Sequence, residues 1–136
     1  MRTSRGFLLV ALALACGGDK VNGPTTESVA GNYSLTMVNG SPLPFVVAEV
    51  RDDKLEVTAG SLSINADNSY ALTFGLRETQ GATVTTETVT EAGTYHRSSN
   101  TLSFHPNDDS GDWSASYASG GTITMGTGGE TLVFKR

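Results

Sequence analysis

Apolar and polar residues alternate with a period of two along most of the chain from Val29 onward. In the clearest run, from Tyr70 to Arg77, large apolar residues occupy every second position. This period is typical of antiparallel strands that bury one face and expose the other. Turn-forming pairs such as Asn39-Gly40 and Gly120-Gly121 separate the runs. The pattern predicts about nine short strands and no long helix in this part of the chain.

Short connections between successive strands predict a meander, in which each strand pairs with the one before it. A meander with one apolar face must pack on a second sheet or close into a barrel, and closure removes both free edges. We therefore expect an all-β, antiparallel up-and-down barrel of about eight strands, with a sandwich as the alternative. The segment from Ala82 to Tyr95 is rich in threonine and interrupted by Gly93, so we expect a bent strand or two short ones there.

The segment Met1–Cys16 has a different pattern, in which two arginines precede an apolar run and small residues lead into the only cysteine. This is the layout of a secretory signal peptide. The apolar run is shorter than the roughly 20 residues that a membrane-spanning helix needs. We expect residues 1–15 to be a cleaved signal peptide, residues 16–28 to be a flexible tether, and residues 29–136 to fold as one domain.

The end of this segment, Leu12-Ala13-Leu14-Ala15-Cys16, resembles the lipobox of bacterial lipoproteins, with alanine where leucine is most common. The resemblance implies that the Cys16 thiol receives a diacylglyceryl group, that a signal peptidase cleaves before it, and that two or three acyl chains, palmitate among them, hold the protein on a membrane. Two or more chains give stable anchoring. Gly17 stands where aspartate would retain a lipoprotein at the inner membrane, which implies the outer membrane. An ordinary cleaved signal peptide is the alternative.

Charge and cysteine content exclude several functions. Two of the nine basic residues precede Cys16, so the remaining chain has seven basic and 14 acidic residues. No basic cluster occurs there, and we expect no nucleic-acid partner. With its only cysteine acylated, the mature protein would have neither a disulfide nor a thiol-based site.

Several short motifs in the strand region resemble those of small bacterial lipocalin-like lipoproteins. They are Gly31-Asn32-Tyr33, Val38–Pro44, Gly60-Ser61-Leu62, Asp67–Tyr70, Gly93-Thr94-Tyr95, Asn100–Phe104 and Leu132–Arg136. Tyr33 stands where lipocalins have tryptophan. The resemblance implies a lipocalin-like barrel that binds a small apolar ligand. A META-type lipoprotein domain, which also begins with an aromatic strand and an Asn-Gly turn, is the alternative, but its Gly-Cys-Asn segment is missing.

Six aromatic residues at inward positions are candidates for lining a ligand pocket in the barrel interior. They are Tyr33, Phe74, Tyr95, Phe104, Trp113 and Tyr117. The same rings, with Phe134, could instead fill a solid barrel, because eight strands leave an interior just wide enough for side chains. We favour the filled core, because a domain of this size without disulfides needs those rings for its stability.

Other candidate sites are weaker. Asp108, Asp109 and Asp112 form an acidic loop that is a weak candidate for calcium, but the spaced ligands of an EF-hand are absent and a solvated loop is favoured. His96 and His105 follow inward aromatic residues, so both should point outward. No Gly-x-Ser-x-Gly motif is present. We expect no enzyme activity, no metal and no cofactor.

Glu87 and Glu91 share one face of a strand with Val89, and an acid pair is one interpretation. We expect instead a polar outer face, reset by a bulge near Gly93. Taken together, the sequence predicts a monomeric envelope lipoprotein, attached to the membrane through Cys16, whose non-catalytic lipocalin-like domain binds a small apolar ligand or an envelope protein. A structural scaffold with a solid core is the alternative.

Overall fold

The structure, a computed structural model, describes residues 26–136, which form ten β-strands. The strands are β1 (Gly31–Val38), β2 (Ser41–Pro42), β3 (Phe45–Val50), β4 (Asp53–Ile64), β5 (Ser69–Gln80), β6 (Thr83–Ser98), β7 (Thr101–Pro106), β8 (Trp113–Ala118), β9 (Thr122–Thr127) and β10 (Glu130–Lys135). The predicted signal peptide and the acylated Cys16 lie outside the described residues. Within residues 26–136 no helix is long and apolar enough to cross a membrane.

Eight of the strands close into an antiparallel barrel, which confirms the predicted fold class. Strands β4 to β10 form a meander, and β1 lies between β10 and β4. The closing pair places Gly31 opposite Ile64 and Ser34 opposite Ser61. The two additional strands, β2 and β3, pair with the remaining halves of β1 and β4. The structure is a closed barrel and not a sandwich, because β1 pairs with β10 at one end of the meander and with β4 at the other.

The inward residues of the alternating pattern fill the barrel. The largest fully buried side chains are Tyr33, Tyr70, Phe104, Phe134, Leu62, Leu102, Ile123 and Val38. The rings of Phe104 and Trp113 stack with their centroids 3.8 Å apart, and Tyr70 meets Phe104 edge-on at 4.8 Å. Each fully buried large apolar side chain contributes about 1.5–3 kcal/mol relative to exposure. These contacts supply the stability that a disulfide would otherwise add.

One end of the barrel, which we call the capped end, is covered by the chain that leads into β1. Val29 is buried there, and the Tyr33 hydroxyl donates a hydrogen bond to the Val29 carbonyl at 2.6 Å. The turns after β4, β6 and β8 lie at the same end, because the antiparallel strands reverse there. The segment that joins the predicted tether to the domain is therefore packed across this end.

An ion pair ties the capped end to the C-terminus. Arg136 donates to the Glu27 carboxylate at 2.9 Å, and the Gly120 backbone N–H donates to the other carboxylate oxygen at 3.1 Å. Arg136 also lies over the Tyr33 ring, 5.6 Å from its centroid. The bond from Gly120 is the main reason that the pKa of Glu27 is lowered, with contributions from Tyr117 and Arg136. These contacts fix the direction in which the chain enters the barrel.

At the other end, four strands continue past the barrel as an open sheet, which we call the extension. It consists of β3, the first half of β4, the second half of β5 and the first half of β6, in that order. On its outer face the buried Glu56 accepts hydrogen bonds from Arg77 at 2.8 Å and pairs with Lys54 at 3.2 Å. The bond from Arg77 is the largest of the effects that lower the pKa of Glu56.

Of the two forms predicted for Ala82 to Tyr95, two short strands are wrong, and so is the bulge expected near Gly93. Strand β6 is continuous over 16 residues, and its pairing with β5 and β7 shows no register shift. Gly93 has a different role: a Cβ atom there would lie 2.1 Å from the His105 carbonyl oxygen. The glycine therefore allows β7 to approach β6 closely, and no bulge is needed.

Alkaline pH is expected to destabilise the fold. All four tyrosines, Tyr33, Tyr70, Tyr95 and Tyr117, have raised pKa values, in each case chiefly because they are buried. A proton held more tightly in the folded state gives a stabilisation that is complete below the ordinary pKa of 10.0 and is lost as the pH rises above it. Urea denaturation at increasing pH should show a midpoint that falls above about pH 10. Tyrosinate absorbance that appears near this pH in the folded protein, with an unchanged midpoint, would contradict the expectation.

Candidate functional site

The barrel is open at the end opposite the cap. The loop between β7 and β8, the turn between β9 and β10, and the inner face of the extension surround this opening. A cavity of about 310 Å³ lies there, at the lower limit of the range typical of ligand sites. Its walls include the apolar side chains of Leu72, Phe74, Trp113 and Met125, and its polar positions are Glu91, Ser110, Asp112 and Thr127.

Two carboxylates, Glu91 and Asp112, line this opening, and three side chains hold that of Glu91. Its Oε1 accepts hydrogen bonds from the Tyr70 hydroxyl at 2.6 Å and from the Trp113 indole N–H at 2.7 Å. Its Oε2 accepts one from the Ser110 hydroxyl at 3.2 Å. The pairing of Leu72 with Glu91 places this carboxylate on the inner face of the sheet, directly beside the apolar wall.

The carboxylate retains capacity for a further donor. Each carboxylate oxygen can accept about two hydrogen bonds, and Oε2 receives only one from the described residues. Burial, and then the bond to Glu91, raise the pKa of Tyr70, so this hydroxyl remains a donor over the ordinary pH range. The arrangement suits a ligand with an apolar body and one hydroxyl, amine or ammonium group.

The six aromatic residues predicted from the sequence do not surround one cavity. Phe74 and Trp113 line the opening. Phe104 lies beneath Trp113 in the core, and the Tyr95 hydroxyl donates to the Asn65 carbonyl at 3.2 Å, toward the capped end. The remaining two, Tyr33 and Tyr117, are buried beside Arg136 at the capped end. Two of the six are thus available to a ligand at the opening, and four fill the interior.

The sequence-based placement of Glu87 and Glu91 on an outer face is wrong. Because β6 keeps one register, both residues share the inward face of Tyr95, whose side chain is buried. Counting back from Tyr95 in steps of two reaches Glu91 and then Glu87, and this was the signal that could have placed them. The assumed bulge near Gly93 obscured it.

The acidic loop does not bring its carboxylates together. Asp108 accepts a hydrogen bond from the Ser110 backbone N–H at 3.0 Å, whereas Asp112 contacts His105 Nδ1 at 2.9 Å. Within residues 26–136 no group of three or more His, Cys, Asp or Glu side chains is arranged to hold a metal. His96 and His105 are exposed, as predicted.

The fold defines a class of protein: an eight-stranded antiparallel barrel with one capped and one open end, consistent with a lipocalin-like fold. Comparisons with protein families, with curated proteins and with solved structures found no match for this chain. The class therefore rests on the strand order and on the pairing of β1 with β4.

Proposed function

We propose that this protein is a lipid-anchored lipoprotein of the bacterial envelope, whose lipocalin-like barrel is a non-catalytic binding domain. The observation that carries the proposal is the open end, where a cavity of about 310 Å³ has an apolar wall and, beside it, the Glu91 carboxylate fixed by three donors. Small-molecule sites commonly combine an apolar wall with one or two positioned polar groups. The ligand class is a small, mainly apolar molecule with one hydroxyl or amine group.

The two ends of the barrel support an orientation for the anchored protein. Glu27 and Val29 cover the capped end, so the preceding tether joins the domain there. If acyl chains on Cys16 hold the tether at the outer membrane, the open end lies on the side of the domain away from the lipid. In that orientation the binding site faces the aqueous compartment.

A structural scaffold is the second candidate, and the filled interior favours it. The stacked and edge-on contacts among Tyr70, Phe104 and Trp113 occupy the space that a lipocalin would use for its ligand. Under this alternative the open end would bind no small molecule. The fluorescence of the single tryptophan can distinguish the two candidates, because Trp113 lines the opening and its emission would report a bound ligand.

A fluorescence titration tests the binding function. In the full chain carrying Cys16→Ser, which cannot be acylated, cyclohexylmethylamine is expected to change the Trp113 emission saturably. The acid analogue cyclohexylacetic acid should not, because its charge would face the Glu91 carboxylate. Glu91→Gln should weaken amine binding about tenfold by removing the charge-assisted bond.

Glu87→Gln is the matched control, because Glu87 lies on the same face of β6 but is not among the residues lining the cavity. It should leave the amine affinity unchanged. If the amine produces no saturable change up to about 1 mM, or binds Glu91→Gln equally well, the proposed site is wrong and the scaffold is favoured.

A further inference from the structure

We propose that the free edge of β6, from Thr83 to Thr90, binds an extended and positively charged segment of a partner protein, which adds to the sheet as a further strand. We call this stretch the β6 edge. It lies on the extension, outside the cavity at the open end. The proposal does not depend on ligand binding at the open end.

The β6 edge is paired on one side only. β5 pairs with β6 from Thr83 to Thr94, whereas β7 pairs only with residues from Gly93 to Ser98. On that second side, no described strand pairs with residues 83–92. Every residue from Gly81 to Thr90 is exposed. A row of free backbone donors and acceptors is a template for another strand.

Two hydrogen bonds identify which backbone groups are free. The Tyr95 N–H donates to the Asn68 carbonyl at 2.8 Å, toward β5, and the Ala92 carbonyl accepts from the Asn107 N–H at 2.9 Å, toward β7. In a strand the N–H and C=O of one residue point to the same side, and successive residues alternate. The even-numbered residues therefore face the open side, and the free groups belong to Val84, Thr86, Thr88 and Thr90.

The β6 edge lacks three features that commonly prevent strand addition, and its one charged residue is Glu87. Natural edges are commonly protected by proline, lysine or a bulge. Residues 83–90 contain no proline or lysine, and their ladder with β5 has no register shift. Seven of these eight residues are threonine or valine, which favour extended backbone. The edge is thus suited in conformation and in its free backbone groups to accept a strand.

The charge beside the edge favours a cationic occupant. On the inner face, Glu87 pairs across from Leu76, and the next inward pair along the two strands is Glu78 with Thr85. Glu87 is exposed and forms no hydrogen bond or ion pair with another described residue. The inner positions of β5 and β6 in this region, Leu76, Glu78, Gln80, Thr83, Thr85, Glu87 and Val89, include no lysine or arginine. A lysine or arginine opposite Glu87 would meet an unpaired carboxylate.

A second copy of this chain fits less well. Antiparallel pairing of two β6 edges would bring Glu87 and Glu91 of both copies onto one face, and like charges across a sheet destabilise it. The chain also has a net charge of −5, which opposes self-association. A partner strand with lysine or arginine opposite Glu87 avoids this repulsion.

The register specifies the partner segment. In antiparallel pairing, an apolar residue opposite Val89 is followed two residues later by a cationic residue opposite Glu87. A second cationic residue would lie opposite Thr85, which is paired with Glu78 on β5. A capped peptide of sequence Thr-Val-Thr-Lys-Thr-Lys-Thr has this pattern and is the probe.

The experiment measures amide hydrogen exchange by NMR in the full chain carrying Cys16→Ser, with and without the peptide. In the free protein the amides of Val84, Thr86, Thr88 and Thr90 should exchange fast, while those of Thr85, Glu87 and Val89 should be protected by β5. The peptide should protect the first set, with a Kd of about 100 µM. Peptides with glutamate in place of lysine, or with N-methylated threonines, should bind at least about tenfold more weakly.

Two protein variants test the backbone and the charge separately. Thr88→Pro removes one edge donor and should weaken peptide binding about tenfold, whereas Thr88→Ala keeps the N–H and should not. Glu87→Lys should reverse the preference, so that the glutamate peptide binds better than the lysine peptide.

Three results would overturn the proposal. The first is no binding of the lysine peptide at about 1 mM, and the second is binding that N-methylation does not weaken. The third is protection of the four edge amides without peptide, together with a dimer in analytical ultracentrifugation, which would assign the edge to a second copy.

Discussion

Phe104→Ala is expected to lower the free energy of unfolding by about 3–5 kcal/mol, as large-to-small substitutions of buried aromatics do. Phe104 is 0% exposed and contacts three other rings: Trp113 at 3.8 Å, Tyr70 at 4.8 Å and Tyr95 at 6.1 Å between centroids. Removing it deletes apolar burial and leaves a cavity that the surrounding strands cannot close, because their hydrogen bonds fix the barrel diameter. Urea denaturation followed by far-UV circular dichroism measures the loss.

Phe45→Ala provides the matched control. Phe45 has the same side chain but is only partly buried, at the base of the extension. Its truncation should cost clearly less than that of Phe104. Equal losses of unfolding free energy would mean that the barrel interior is not packed around Phe104. They would favour a ligand cavity inside the barrel.

The sequence was sufficient for the barrel because local and global preferences agree there. Tyr70, Leu72 and Phe74 alternate with smaller or polar residues, and each of the three lies on the inner face. The turn pairs also fall where strands end; Asn39 and Gly40, for example, both have positive φ values between β1 and β2. Period and turn chemistry are local properties, so they could be determined without the structure.

The extension and the open end could not be predicted in the same way. Alternation predicts an apolar inner face only where the barrel encloses that face. The part of β6 that includes Glu87 lies on the extension, outside the barrel. In this part of β6 the side chains on both faces are exposed to solvent. The inner positions therefore include Thr85 and Glu87, and periodicity alone cannot tell them from outer positions. The role of Gly93 could not be predicted either, because the carbonyl that leaves no room for a side chain there belongs to His105 on another strand.

The assignment of the aromatic residues depended on a quantity that the sequence does not contain. Six inward rings are compatible with a pocket or with a filled core, and only the distances between them decide. The stacking of Phe104 on Trp113 and the edge contact with Tyr70 place these rings against one another. What the filled core leaves available is the opening beside Glu91, a residue that the sequence interpretation had placed outside.

Cys16→Ser is expected to abolish membrane association of the protein completely. Two acyl chains contribute on the order of 20 kcal/mol at about 0.8 kcal/mol per methylene, and a serine hydroxyl would accept no thioether-linked lipid. The measurement is metabolic labelling with palmitate together with detergent-phase partitioning. The original chain should be labelled and enter the detergent phase, and the variant should be unlabelled and remain in the aqueous phase.

Gly17→Asp separates anchoring from sorting, because it leaves the cysteine in place but introduces the residue associated with inner-membrane retention. This variant should remain labelled with palmitate and shift from the outer to the inner membrane in a density gradient.

If Cys16→Ser stayed in the detergent phase, the proposed anchor would be wrong. The capped end, with Glu27 and Arg136, would then have no lipid-linked tether to orient. Since the domain lies after the substituted residue, the urea midpoint of the Cys16→Ser protein should match that of the acylated one, which confines the effect to the anchor.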